Sequence, residues 1–353
     1  MDAHVISVLA GDGIGIEVMP VAMEVLDAAT RDRGVRLEWR EQPWGSDYFR
    51  RRGRMMPTDA IETMAGTDAV FLGAVGHPEV SDVETLWGML IPIRREFDQY
   101  INLRPVRSFS GVRSSLAGSP DIDVVIVREN VEGEYSAVGG RSGQGSPFEA
   151  AYQQSVFTRR GVERVAAYAA DVARARSGRL VSATKSNGII HTMPFWDEVV
   201  AEVVGRGGGV ALEPVLIDAL AARAVRAPQT LDVIVASNLF GDILSDLLAG
   251  AVGSIGIAPS ANLNPERRCP SMFEPVHGSA PDIAGRGIAN PIGQIWAGAM
   301  MLRHLGHEEI AGSIETAFTA VVERGAVTPD LGGELTTAEV GAAVVAELSA
   351  RGV

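Results

Sequence analysis

Two aspartates in an apolar helical pattern are the first residues whose type and spacing suggest chemistry. Asp242 and Asp246, in the string GDILSD, are four residues apart and so fall on one face of a helix. Their like charges repel each other unless a cation lies between them, and carboxylate oxygens suit Mg²⁺ or Mn²⁺ better than zinc. The alternative is an ordinary solvated helix face. Asn238, just upstream, is expected to cap this helix.

Three arginines, Arg94, Arg104 and Arg128, follow or interrupt apolar segments. Arg128 directly follows the run Val124–Val127, which reads as a buried strand. A guanidinium binds a carboxylate at two points, and a substrate with two carboxylates needs several such groups. These arginines are therefore candidate substrate ligands, the alternative being ordinary surface arginines.

Two further side chains are candidates for proton transfer. Tyr135 lies in the polar string VEGEYS and can donate a proton if a neighbour lowers its pKa, although packing at a turn is the alternative. Lys185 is the only lysine in a chain that otherwise uses arginine. A lysine can lose its proton in a suitable environment and an arginine effectively cannot, so Lys185 is a candidate general base.

Two glycine-rich segments are candidates for nucleotide binding. The pattern GxGxxG fails over residues 11–18, because Ile16 and Val18 occupy the last glycine position in the two registers. A second glycine-rich segment, His277–Pro291, can bring backbone N–H groups close to a pyrophosphate. Asp282 in it can accept hydrogen bonds from an adenosine ribose and would repel a 2′-phosphate.

The elements that must position these residues alternate between strand and helix. Each short apolar run delivers a polar or glycine-rich segment at its C-terminal end, where α/β proteins gather their ligands. This alternation predicts a mostly parallel sheet covered by helices. Gly139–Ser146 reads as an exposed loop or arm. The predicted strands are Val5–Leu9, Ala69–Leu72, Val124–Val127, Leu180–Ala183 and Val233–Ala236, and Ile16–Ala29 is a predicted helix.

Composition excludes several classes of protein. The net charge of −13 over 353 residues argues against a general nucleic-acid or membrane-surface binder. No apolar run approaches the roughly 20 residues that span a bilayer, and the N-terminus lacks a signal-peptide pattern, so a cytoplasmic protein is expected. The single cysteine, Cys269, excludes an intramolecular disulfide and is expected to be passive.

Taken together, these segments resemble the isocitrate/3-isopropylmalate dehydrogenase family of β-decarboxylating dehydrogenases over essentially the whole chain. The strings WGSDYF, LWG, RREFDQY and SMFEPVHGSAPDI are most similar to the members that act on D-malate or tartrate. The resemblance implies the α/β fold of that family, with three layers and no Rossmann fold. The strings that carry it, in family order, are AGDGIGIEVMP, GAVGHP, NLRPVR, VRENVEGEYS, TKSN, NLFGDILSDL and FEPVHGSAPDIAGRGIANP.

The resemblance also implies a role for each candidate. Lys185 would take the hydroxyl proton, Tyr135 would protonate the enol, and the three arginines would hold the substrate carboxylates. Asp218, Asp242 and Asp246 would bind Mn²⁺ or Mg²⁺, and K⁺ is a further ion that the resemblance allows. NAD would be bound by Gly73, Ala74, Val75, Gly76, His277, Gly278, Ser279, Ala280, Asp282, Ile283 and Asn290.

Domain organisation and assembly follow from the same resemblance. Residues 1–100 and 252–353 would form a large cofactor-binding domain, and residues 101–251 a small α/β domain with the metal and catalytic residues, the dimer interface and an arm. Lys185 and the first metal ligand, Asp218, would reach the active site from the partner subunit. The enzyme would therefore be at least a homodimer.

The substrate expectation rests on a short segment before Arg94. The stretch Thr85–Leu90 contains Trp87, which would reduce the pocket and favour a small or unbranched substituent at C3. This favours D-malate, with pyruvate and CO₂ as products, over tartrate or 3-isopropylmalate. A hydrophobic pocket discriminates a methyl group by only ~1–3 kcal/mol. The alternative from another class is a non-catalytic anion-binding protein, which would have no need of Lys185.

Overall fold

The computed structural model describes residues 2–351, and these form two compact units. Unit 1 contains the chain up to Gln99, the segment Arg107–Ser119 and the chain from Ala249 onward. Unit 2 contains Tyr100–Val106 and Pro120–Leu248. Both units are built from strands and helices in alternation.

The strands and helices are numbered in chain order. The strands are β1 (Asp2–Gly11), β2 (Val35–Glu41), β3 (Ala69–Ala74), β4 (Ile101–Arg107), β5 (Asp123–Glu129), β6 (Gly139–Ser142), β7 (Ala150–Gln153), β8 (Arg179–Thr184), β9 (Ala211–Leu216), β10 (Val233–Ala236), β11 (Pro259–Leu263) and β12 (Ser271–Pro275). The helices are α1 (Gly15–Thr30), α2 (Ser46–Arg52), α3 (Ala60–Ala65), α4 (Asp82–Thr85), α5 (Ile91–Glu96), α6 (Arg159–Ala175), α7 (Thr192–Gly207), α8 (Ile217–Arg226), α9 (Asn238–Val252), α10 (Ile292–His304), α11 (Glu308–Glu323) and α12 (Thr337–Ala350).

The strands of unit 1 run in the order β2-β1-β3-β12-β11, parallel except that β11 is antiparallel to β12. Alternate residues of a strand point to opposite faces of the sheet. Leu72 and Met272 pack into a buried cluster with Met64 of α3 and Ile93 of α5. Phe273, the next residue, instead packs against α10, its ring 5.6 Å from that of His304. Helices thus cover both faces, which confirms the predicted three-layer α/β architecture.

The strands of unit 2 run in the order β4-β5-β10-β8-β9, and the last four are parallel. The predicted strands ending at Val127, Ala183 and Ala236 are all present, within one or two residues of their expected ends. The predicted exposed arm, Gly139–Ser146, contributes β6 to a two-stranded antiparallel hairpin with β7, and Phe148 at its turn is 88% exposed.

The boundary between the units differs from the sequence-based division, which assigned all of 101–251 to the small domain. Residues 107–119 and 249–251 belong to unit 1 instead. The hydroxyl of Ser114 donates to the carbonyl of Ala251 (2.6 Å), and Arg107 bonds to Thr319 of α11 (2.8 Å). These tertiary contacts join segments far apart in sequence, so no local pattern marks the boundary.

No helix within residues 2–351 is long and apolar enough to cross a membrane.

Candidate active site

The predicted aspartate pair lies on α9, and Arg104 of β4 is bonded to both carboxylates. Arg104 Nη1 lies 3.1 Å from Asp242 Oδ1, 3.3 Å from Asp246 Oδ1 and 2.7 Å from the hydroxyl of Ser245. Arg104 is buried, whereas the two carboxylates are partly exposed. The guanidinium therefore offsets the mutual repulsion of the two aspartates from below the surface.

Arg128, at the C-terminal end of β5, reaches the same aspartate. Its guanidinium bonds to Asp242 Oδ1 and to Asn238 Oδ1, the latter at 2.6 and 3.1 Å. It is almost fully buried, at 1% exposure. Gly241 makes this possible, because a Cβ there would lie 2.7 Å from Arg128 Cβ and Cγ. The glycine lets the arginine pass directly against α9.

Tyr135 completes this group of side chains. Its hydroxyl donates to Asp242 Oδ2 at 3.0 Å, and Arg128 lies 5.7 Å from the centre of its ring. Unit 2 therefore brings together five residues that the sequence singled out. We call them the α9 cluster: Arg104, Arg128, Tyr135, Asp242 and Asp246.

The expectation that Asn238 caps α9 is wrong. Its side-chain oxygen accepts from Arg128, and its amide donates to the carbonyl of Glu132 (3.3 Å). The free N–H groups at the start of α9 are taken by Glu134, which accepts from Leu239 N (3.1 Å), and by the hydroxyl of Ser237. Leaving hydrogen-bonding groups of a buried arginine unsatisfied is costly, and the side chain of Asn238 is used to satisfy them. The N–H groups at the start of α9 are satisfied by Glu134 and Ser237 instead.

Lys185 and Asp218 form a separate pair within unit 2. Lys185 follows β8, Asp218 lies in the first turn of α8, and Nζ is 2.9 Å from Oδ1. The bond to Lys185 is the main cause that lowers the pKa of Asp218. Within residues 2–351 no group of three acidic, histidine or cysteine side chains could hold a metal ion, so Asp218 does not join Asp242 and Asp246 in one chain. The expected role of Asp218 in a site on a partner subunit stays a prediction.

The pair of carboxylates on α9 fits a hard divalent cation. Burial raises the pKa of Asp246 above its ordinary value; Arg104 and Arg128 lower it, and Asp242 raises it further. A group in this position gains from a cation that favours its charged form. Asp242 and Asp246 would supply two oxygen ligands, which is the chemistry that Mg²⁺ and Mn²⁺ prefer.

Arg94 and Trp87 lie in unit 1. Arg94 of α5 is buried and pairs with Glu274 of β12, its Nη2 2.9 Å from Oε1. Its Nε has no hydrogen-bond partner among the described residues. Trp87 lies in a π-helical turn, Leu86–Leu90, with the guanidinium of Arg95 5.2 Å from its ring centre. The proposed substrate contacts of both residues stay predictions.

The expected nucleotide loop follows β12 in unit 1. His277 is buried, its Nδ1 lies 3.0 Å from the carbonyl of Gly278, and its Nε2 has no partner within residues 2–351. Burial lowers the pKa of His277, which keeps the ring neutral near pH 7. The unsatisfied Nε2 is a buried polar atom that a bound ligand could satisfy. Asp282 and Gly278 are exposed, whereas Asn290 is buried, and its amide donates to Asp330 (3.1 Å).

The turn after β1 holds this loop and the predicted 73–76 segment. Ile14 N donates to the carbonyl of Ser279 at 2.9 Å. Gly13 has φ +53° and a Cβ there would lie 2.0 Å from that carbonyl oxygen, so only glycine fits. Asp12 accepts from Gly76 N (2.8 Å), and its own N–H donates to the carbonyl of Ala74 (2.8 Å). The failed GxGxxG pattern thus marks a structural turn that supports the expected cofactor loops.

Several residues of these sites were not predicted from the sequence. Glu17 accepts from the N–H groups of Gly285 and Gly287, the latter at 2.8 Å, and so anchors the far half of the nucleotide loop. The acidic residue in the first turn of α1 was visible, but its partners lie 268 and 270 residues away. The other unpredicted partners are Asp12, Glu134, Ser237, Ser245 and Glu274.

Comparisons with known proteins agree with this fold and place the chain in a known family. The family model described as isocitrate/isopropylmalate dehydrogenase matches residues 5–344. A probable tartrate dehydrogenase/decarboxylase of Bacillus subtilis is 51% identical, over 95% of this chain and 95% of its own. The D-malate dehydrogenase (decarboxylating) of Escherichia coli is also 51% identical, over 96% and 97%.

Solved structures give the same result. The crystal structure of isocitrate dehydrogenase from Methylococcus capsulatus superposes with a TM-score of 0.89 at 35% identity. It covers 98% of this chain and 99% of its own. A β-decarboxylating dehydrogenase from Thermococcus kodakarensis superposes with a TM-score of 0.80 at 37% identity, covering 98% and 96%.

Proposed function

Because the chain belongs to the isocitrate/isopropylmalate dehydrogenase family, we propose that it oxidises and decarboxylates D-malate to pyruvate and CO₂, with NAD and Mn²⁺ or Mg²⁺. The coarser class is a decarboxylating hydroxy-acid dehydrogenase, as in the relatives about half identical to it. The choice of D-malate, of NAD and of the individual residues is the proposal.

The charge balance of the α9 cluster is the observation that carries the proposal. Arg104 bonds to both Asp242 and Asp246, and Arg128 bonds to Asp242. With both aspartates ionised, the two arginines and two aspartates carry no net charge. A divalent cation would add two positive charges, which a dicarboxylate substrate would neutralise. A site of this kind favours a small dianion together with a metal over either ligand alone.

The residues of this chain would divide the work as follows. Arg104 and Arg128 would hold substrate carboxylate, and their buried bonds to Asp242 and Asn238 keep their positions fixed before substrate arrives. Lys185 would remove the hydroxyl proton at C2. When bound, NAD would accept the hydride, and the metal would polarise the C2 oxygen and favour loss of CO₂. Tyr135 would then give its proton to C3.

Tartrate is the second candidate substrate. A relative at 51% identity is named probable tartrate dehydrogenase/decarboxylase, and one at 50% identity, from Pseudomonas putida, is named tartrate dehydrogenase/decarboxylase. Tartrate is a small 2-hydroxy dicarboxylate like malate and differs by one hydroxyl at C3. We expect activity on both, because a pocket that does not bond the extra hydroxyl rejects it only weakly.

A steady-state assay of NADH formation tests the proposal. The purified enzyme with Mn²⁺ is compared on D-malate, L-malate, the tartrate isomers and 3-isopropylmalate, each with NAD and with NADP. Highest kcat/KM for D-malate with NAD is expected. A preference for 3-isopropylmalate would contradict the role of Trp87, and a preference for NADP would contradict that of Asp282. Dicarboxylate binding without turnover on any substrate would favour the anion-binding alternative.

A further inference from the structure

The segment that follows β5 carries three glutamates, each with a different partner. Glu129 accepts from the N–H groups of Val131 and Glu132, within the segment itself. Glu132 accepts from the N–H (2.8 Å) and the hydroxyl (2.7 Å) of Thr158, the residue that caps α6. Glu134 reaches the beginning of α9 instead. The segment is thus tied at separate points to itself, to α6 and to α9.

The bonds of Glu134 are to the first turn of α9. One carboxylate oxygen accepts from the hydroxyl of Ser237 (2.8 Å) and the other from Leu239 N (3.1 Å). The hydroxyl of Ser237 in turn accepts from Phe240 N at 3.4 Å. A carboxylate at this end of a helix also interacts favourably with the helix dipole. Glu134 therefore fixes one end of α9 against the segment.

Tyr135, the next residue, contacts the same helix at Asp242, three residues after Leu239. Its hydroxyl donates to Asp242 Oδ2 at 3.0 Å. Two adjacent residues of the segment thus hold points less than one helical turn apart on α9. Asn238 adds a third link, because its amide donates to the carbonyl of Glu132. The position of the tyrosine hydroxyl relative to Asp242 therefore depends on how the segment is aligned along α9, which we call the register.

We infer that Glu134 is a positioning residue for Tyr135, setting that register through Ser237 and Leu239. The inference rests on the proposed function, in which the O–H bond of Tyr135 breaks as a new C–H bond forms at C3. Because the hydroxyl proton has already gone to Lys185, loss of CO₂ leaves an enolate. The electron pair of its C=C bond takes up the proton at C3, the C2 carbonyl re-forms, and solvent returns a proton to the tyrosine oxygen. Glu134 does not touch the reacting atoms. It acts by keeping the hydroxyl where the proton is needed.

Hydrogen–deuterium exchange of the whole protein tests the contact without any assay of activity. Glu134→Ala is compared with Glu132→Ala, a matched control whose side chain holds α6. We expect Glu134→Ala to speed exchange in peptides covering residues 238–242 and to leave residues 158–162 unchanged. Glu132→Ala should do the reverse. Unchanged exchange at 238–242 in Glu134→Ala would overturn the assigned contact.

The positioning role is tested by kinetics of Glu134→Ala, both alone and combined with Tyr135→Phe. Glu134→Ala should lower kcat about 10- to 100-fold, because a small misplacement of a proton donor has effects of that order, and leave substrate KM within about threefold. Added to Tyr135→Phe, it should cause little further loss, since residues acting as a unit are not additive. The enzyme-catalysed exchange of the methyl protons of pyruvate with solvent, followed by NMR, should slow by a similar factor.

The outcomes separate this inference from the proposed function. Wild-type protein inactive on every dicarboxylate would remove the proposed function, while the exchange measurement would still decide the contact. Normal turnover of Glu134→Ala, or a full additional loss in the Tyr135→Phe background, would overturn the positioning role. Glu134→Gln, which keeps an acceptor for Leu239 N, should show a smaller effect and serves if Glu134→Ala does not fold.

Discussion

At the scale of single residues, the isolation of Lys185 among arginines is the most informative feature of this chain. Its ammonium lies 2.9 Å from Asp218, partly exposed, near the start of α8. An arginine there could keep this ion pair, because it carries the same charge and more donors. What it could not do is release a proton at neutral pH. The residue type therefore points to proton transfer and the pairing alone does not.

We predict that Lys185→Arg retains dicarboxylate binding but loses about 10²- to 10⁴-fold in kcat, the range for removal of a general base. Stopped-flow measurement of the first turnover, together with binding of the substrate by calorimetry, checks this. Arg226→Lys, a reverse substitution at an exposed position of α8, is the control and should leave both unchanged. Turnover close to that of the wild type in Lys185→Arg would remove the general-base assignment.

At the scale of elements, the C-terminal end of β5 carries two buried charged side chains. Arg128 and Glu129 are consecutive and both are 1% exposed. Burial raises the pKa of Glu129 to about 7, although the N–H groups of Val131 and Glu132 and the charge of Arg164 oppose the rise. Unlike Arg128, Glu129 can become neutral by binding a proton. The charge at this end of β5 should therefore change with pH in the neutral range.

Glu129 should make the protein less stable as pH rises through about 7. Its pKa is raised in the folded state, so the folded protein binds the proton more tightly than the unfolded chain does. The stability that this proton contributes is complete below the unfolded pKa and is lost above the folded one. The whole effect is about 3 kcal/mol at most. Denaturant unfolding at fixed protein concentration, between about pH 5 and pH 8, measures it.

Glu129→Gln removes the titrating group and keeps an oxygen for Val131 N and Glu132 N. We expect its unfolding free energy to vary less with pH than that of the wild type and to exceed it at about pH 8. Glu62→Gln, in the exposed part of α3, is the matched control. An unchanged pH slope in Glu129→Gln would mean that other groups carry the dependence.

At the scale of the whole molecule, the separation of Lys185 and Asp218 from Asp242 and Asp246 is the feature that bears on assembly. Residues 2–351 of one chain bring no three acidic side chains together as metal ligands. If the family arrangement holds, each active site combines the pair from one subunit with the α9 cluster of the other. A symmetric dimer would then have two shared sites.

Subunit mixing tests this prediction. Lys185→Ala and Asp246→Ala chains should each be inactive alone, whereas a mixed dimer should have one site in which both residues are intact. Random mixing in equal amounts makes half the dimers mixed, so about a quarter of wild-type activity should return. Lys185→Ala mixed with Asp218→Ala should stay inactive, because both residues belong to the same side of a site. Equal recovery in the two mixtures would contradict sharing between subunits.

The sequence determined those parts of this protein that depend on local pattern and residue type. The period of the helix places Asp242 and Asp246 on one face of α9, and the alternation of apolar runs with helices predicts the α/β class. The nature of each candidate group, such as the lone lysine or the arginines after strands, was likewise visible. The family strings then suggested how these groups are used.

Only the tertiary structure decided which side chains meet. Asn238 was expected to cap α9 but bonds to Arg128, which is 110 residues away in the chain. Glu134 and Ser237 are separated by 103 residues, and Glu17 meets Gly287 across 270. Such pairings follow from strand order and from the need to satisfy buried polar groups, which act on the folded chain and leave no periodic trace in the sequence.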